Sequence, residues 1–129
     1  MRILIAALAL WGIGCGHAEF SSPDPVNEQE AFFIAKVEHY CGVLEHGPCY
    51  VEFHENPNGG WMAAWATPGG NVVNAHRQTI HDGSFSYLNE LAGHEVCHLG
   101  GCKEKYGRPG CWTEVEANEC VNRIVYGQE

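Results

Sequence analysis

Positive charge is scarce in this chain of 129 residues: seven Lys and Arg stand against sixteen Asp and Glu, a formal charge of -9. That balance argues against nucleic acid or an anionic membrane surface as a partner, because both require basic patches. No C-x-x-C pair occurs, so a structural zinc ribbon is not indicated. No methionine follows Met62, and there is no internal repeat or low-complexity tract. Long apolar runs are missing too. The longest, Ile3 to Ile13, spans roughly 16 Å as a helix, well short of the ~30 Å hydrocarbon core. What remains, 45% hydrophobic residues with four tryptophans, is ordinary for one folded domain and unlike a disordered chain.

The apolar run follows Arg2 and precedes small residues around Cys15, which reads as a secretory signal over residues 1–18. Gly14-Cys15 resembles a bacterial lipobox, and the resemblance implies cleavage before Cys15, lipidation of that cysteine and attachment to a membrane. Ordinary cleavage near Ala18 is the alternative. The chain is therefore expected to be exported, to the bacterial periplasm or cell envelope as a lipoprotein, or secreted. Setting Cys15 aside leaves six cysteines, an even number that suits up to three disulfides in an exported domain. Cys41–Cys49 and Cys102–Cys111 are the short-loop pairings expected.

Residues 19–27 read as a polar tether and 28–129 as the domain, an α+β unit. Asn27 and Glu30 form a capping pattern ahead of Phe33, Ile34, Val37 and Tyr40/Cys41 at helical spacing, with Gly42 as the stop. "CYVEFHE" alternates as a strand. "WMAAWA", "TPGG" and "NVVNAHRQTI" read as a hairpin about a type II turn at Pro68-Gly69, giving a small, mostly antiparallel sheet. A second helix is expected from about Tyr87 to Leu99, and a third from "TEVE" to about Tyr126, packed on one side of the sheet.

The second helix carries "HEVCH". His94 and His98, four apart, lie on one helical face and can reach one ion, while Glu95 is rotated about 100° to stand beside it. Composition alone yields about 0.05 chance occurrences of this spacing, so the pattern carries information. Two imidazoles with an adjacent carboxylate point to Zn2+-assisted hydrolysis, with Glu95 taking a proton from a zinc-activated water and returning it to the leaving amine. A catalytic zinc needs a third protein ligand. Glu104, in H-E-x-x-H-x-x-G-x-x-E, is one candidate. Glu114 is the other: Thr113 and Glu116 cap its helix, and Glu114 falls about 50° from the apolar stripe of Ala117, Val121, Ile124 and Val125. A carboxylate so close to the core needs a partner, which favours Glu114.

"HEVCH" followed by "EVEAN" resembles the gluzincin branch of the zincin metallopeptidases, nearest to the E-x-x-A-N/D signature of bacterial repressor-cleaving and CAAX-type peptidases. The H-E-x-x-H-x-x-G-x-x-E reading resembles the metzincins, although their methionine turn has no counterpart here. The gluzincin resemblance extends from His94 to Arg123. It implies a minimal zincin-like domain, Glu114 as the third ligand, and Asn118 as the residue that orients a ligating histidine. It also implies a peptide or protein substrate paired with the edge strand "WMAAWA", between Trp61 and Trp65. His76, His81, Tyr106 and Tyr126 are the available oxyanion donors. A monomer is expected. A non-catalytic, disulfide-stabilised module that binds zinc or protein is the alternative.

Overall fold

A computed structural model describes residues 21–55 and 63–128. Among them are five helices and three strands: α1 (Glu28–Val43), β1 (Tyr50–His54), β2 (Ala64–Ala66), β3 (Val72–His76), α2 (Arg77–Asp82), α3 (Phe85–Gly100), α4 (Lys103–Tyr106) and α5 (Glu114–Ile124). The domain is α+β, as expected. The proposed signal and its Cys15 lie outside the described residues.

Alternation buries Val51, Val73, Ala75 and Ala64 on the helix side and leaves Glu52, Asn74 and Trp65 on the other. β2 and β3 form the expected antiparallel hairpin. Gly69, at φ 86°, occupies the turn position that favours glycine, and Gly70 N–H donates to the Thr67 carbonyl. The sheet as a whole is mixed rather than mostly antiparallel. Its order is β1-β3-β2, and β1 runs parallel to β3 with Val51 opposite Val73 and Phe53 opposite Ala75. Period-two alternation marks a strand's buried face but carries no signal for the direction of its neighbour.

Asn27 caps α1 through Glu30 N–H, as expected, but the Glu30 side chain turns inward. Fully buried, it accepts from Val26 N–H and meets Arg77 at 2.7 Å and His81 at 2.6 Å. This explains α2, which replaces the end of an expected strand. A helical turn sets Arg77 and His81 four apart on one face, where both reach the same carboxylate. Ser22 lies against β1, its Oγ accepting from Val51 N–H.

The main core joins α1, α2, α3 and the sheet through Phe33, Val37, Val73, Ile80, Leu88 and Val96. A smaller one lies between α3 and α5 and consists of Cys97, Cys102, Cys111, Cys120, Ala117 and Val121. Three disulfides are present: the expected Cys41–Cys49 and Cys102–Cys111, and Cys97–Cys120. Their number suggests an oxidising environment outside the cytosol. Among the described residues, no helix is long and apolar enough to cross a membrane.

Candidate metal centre

Ser84 Oγ accepts Tyr87 N–H and starts α3, which then presents Leu88, Ala92, Val96 and Leu99 to the main core. Gly93 permits close packing: a Cβ there would collide with Val125 and touch Tyr40. Adjacent to this buried stripe, His94 and His98 turn their rings toward the start of α5, with centroids 4.9 Å apart. Thr113 Oγ1 caps α5 by accepting Glu116 N–H, which makes Glu114 its first residue. The Glu114 carboxylate bridges both rings, Oε1 at 2.9 Å from His94 Nε2 and Oε2 at 3.1 Å from His98 Nε2.

His98 Nδ1 lies 2.7 Å from the Cys111 carbonyl oxygen and donates to it. In the neutral ring that bond leaves Nε2 as a lone pair facing a carboxylate oxygen, an arrangement that a cation between them makes favourable. One ligand atom each from His94, His98 and Glu114 lies within 4.8 Å of the others, and among the described residues this is the group able to hold a metal ion. Donors about 3.4 Å apart satisfy tetrahedral bonds of ~2.1 Å, so small side-chain adjustments suffice. Two imidazoles and a carboxylate suit zinc, and they also suit other divalent ions that accept imidazole. The residues fit a metal.

Burial lowers the His94 pKa, against an opposing pull from Glu114. Neutral imidazole, the form that binds metal, is thereby favoured. Glu95 is only 5% exposed. Burial pushes its carboxyl up to about 7; His98 opposes the rise and Glu114 adds to it. It therefore lies within electrostatic reach of two of the three candidate ligands. Tyr87, two turns earlier on α3, is raised first by burial and then by the charge of Glu95. Tyr87 went unnoticed in the sequence, although its spacing of eight from Glu95 places both on one helical face.

The expected residues sort clearly. Glu104 is exposed on α4, beside Lys103, Gly101 and Arg123, and is not among the converging donors. Glu114 is in place, but not for the burial reason: its side chain is 72% exposed. The helical wheel located its angle and missed that the first turn of α5 projects beyond the core. Asn118 is exposed and makes no hydrogen bond among the described residues; the group orienting His98 is the Cys111 carbonyl, which has no side-chain signature. β2 is an edge strand, but Trp65 sits on the outer sheet face between the rings of His54 and His76, and Trp61 lies outside the described residues. His81 is held by Glu30, Tyr106 donates to Glu119 and Tyr126 donates to Glu90. His76 Nδ1 is buried without a hydrogen-bond partner among the described residues.

Comparison of the chain with protein-family models, with curated proteins and with solved structures finds no match in any of the three.

Proposed function

We propose that this protein is an exported zinc-dependent peptidase in which His94, His98 and Glu114 hold the ion and Glu95 is the general base. The observation that carries the reading is the convergence of His94, His98 and Glu114, with the largely buried carboxyl of Glu95 next to His94 on the same helix and its pKa raised to about 7. A purely structural metal site has no use for such a group, whereas a proton acceptor works best with a pKa near the operating pH. When bound, zinc supplies Lewis acidity, lowering the pKa of water to about 7 and polarising a carbonyl.

The chain's own groups do the rest. Cys111 holds the His98 ring by its Nδ1 proton, so that Nε2 stays available. Glu95 takes the proton of the attacking water on a carboxylate oxygen and delivers it to the departing amine. The edge of β2 that no other described strand pairs with offers backbone groups to an extended peptide, which adds as a further strand. The mature protein is released from its signal, with Cys15 lipidated and anchoring the domain to the cell envelope.

The test is metal content, together with cleavage of a denatured protein, for wild type and Glu95→Gln. Expected are about one zinc per chain in both, cleavage abolished by a chelator, and a loss of about 10²–10⁴-fold in Glu95→Gln. Bound zinc without cleavage dependent on Glu95 would instead indicate a non-catalytic zinc-binding module. The mass of the mature amino terminus distinguishes lipidated Cys15 from a cut near Ala18.

A further inference from the structure

We propose that the Cys97–Cys120 and Cys102–Cys111 disulfides are positioning elements of the metal centre, so that the bridged chain holds the ion more tightly than the unbridged one. This rests on the metal-binding reading above, but not on hydrolysis.

Glu114 carries the argument. Its side chain is largely exposed, so nothing around it fixes its place; it reaches His94 and His98 only because α5 begins there. α5 has eleven residues, too few for a stable helix on its own. Its fully buried apolar side chains are Ala117, Val121 and Cys120. Beyond these it relies on half-buried Ile124, on Arg123 donating to the Gly101 carbonyl at 3.1 Å, and on the 102–111 loop, from which Arg108 donates to Glu116 at 2.6 Å and Tyr106 to Glu119 at 2.8 Å. The covalent tie to α3 runs through Cys97, which lies inside the motif between Glu95 and His98, with 5.9 Å between the Cα atoms of Cys97 and Cys120. A Cβ on Gly101 would collide with the Cys120 sulfur, so α5 is drawn in as far as the backbone allows.

The second bridge acts on His98. Cys102–Cys111 closes the loop that carries α4, and Cys111 offers its carbonyl to His98 Nδ1 while its N–H donates to the Cys97 carbonyl at 3.3 Å. One bridge therefore ties the helix of the carboxylate directly to α3, while the other sets an imidazole and braces the same helix through Arg108 and Tyr106. Cys41–Cys49 lies in the main core and ties α1 to the segment before β1, which makes it an internal control.

Reduction alone is a poor test, because freed thiolates are themselves zinc ligands. The experiment is competition titration with Co2+ and Zn2+ against a chromophoric chelator, with near-UV circular dichroism as the check on folding. Cys97→Ala/Cys120→Ala is expected to bind about 10–100-fold more weakly than wild type. In a Glu114→Ala background the same pair is expected to cost under about threefold, since it acts through that carboxylate. Cys102→Ala/Cys111→Ala is expected to keep in that background the part of its effect that acts through His98, and Cys41→Ala/Cys49→Ala to have none. Unchanged affinity in Cys97→Ala/Cys120→Ala, or an equal loss with and without Glu114, overturns the proposal. Should that variant not fold, the unmodified chain answers through reciprocity. Bound zinc is expected to slow the initial reduction of the two bridges by a phosphine, but not that of Cys41–Cys49, read by alkylation and mass. Equal slowing of all three, or none, overturns the proposal. A wild-type chain that takes up no metal defeats the metal centre itself, whereas uptake without cleavage defeats only the peptidase.

Discussion

Replacing Glu95 by glutamine is expected to stabilise the metal-free protein by an amount that grows between pH 4.5 and 7. Glu95 is 5% exposed, and burial raises its carboxyl from 4.5 to about 7. Between those pH values the folded chain holds a proton that the unfolded chain has released, so folding stability falls as pH rises through the interval. At about 1.4 kcal/mol for each tenfold change in proton affinity, the loss comes to about 3 kcal/mol, fully developed above pH 7 and absent below 4.5. Glutamine keeps the shape and never ionises. Titrating groups beyond the electrostatic reach of Glu95 are shared by the two proteins and cancel in their difference. Urea unfolding with the disulfides intact and a chelator present, at pH 4.5 and pH 8, measures that difference. The variant should gain about 2–3 kcal/mol on wild type between the two pH values. Saturating zinc should shrink the gain, since a nearby cation favours the carboxylate. A gap that does not change with pH, or that grows in the opposite direction, refutes the reasoning. A residue whose charge weakens the fold while its removal abolishes cleavage would be trading stability for activity.

Gly93→Ala should lower stability by about 1–3 kcal/mol in the same assay, because the added methyl collides with Val125. Alanine's helix propensity, favourable by about 1 kcal/mol, offsets only part of this. Removing Cys41–Cys49 should cost about 2–4 kcal/mol in urea unfolding at neutral pH while leaving Co2+ affinity at the wild-type value.

The helices were legible because their signals are local. Asn27, Ser84 and Thr113 each cap a helix through a side-chain oxygen, and the apolar spacing of α3 separates its core stripe from the face bearing His94 and His98. The converging donors were legible for the same reason, two of them on one helix and the third beside a cap. Non-local features were not. That β1 pairs in parallel with β3 is a matter of non-local strand order, and strand alternation does not encode this. The α2 turn exists because Arg77 and His81 answer a buried Glu30 that stands 47 and 51 positions earlier in sequence. Cys97–Cys120 was one of many pairings that six cysteines allow, and a carbonyl such as that of Cys111 has no letter of its own. Glu114 was chosen by a burial argument that its exposure contradicts, and the geometry retains it on different grounds.

The helix that bears both imidazoles depends on its neighbours for its form. Its sixteen residues include glycines at positions 93 and 100, each costing about 1 kcal/mol of helical preference, and an isolated segment of that length is marginal in water. A synthetic peptide spanning residues 85–100 should therefore be mostly coil and a poor mimic of the intact centre. The chemistry cannot be transplanted by copying five letters into another helix; a graft would have to bring along the packing surface of α1 and the start of α5.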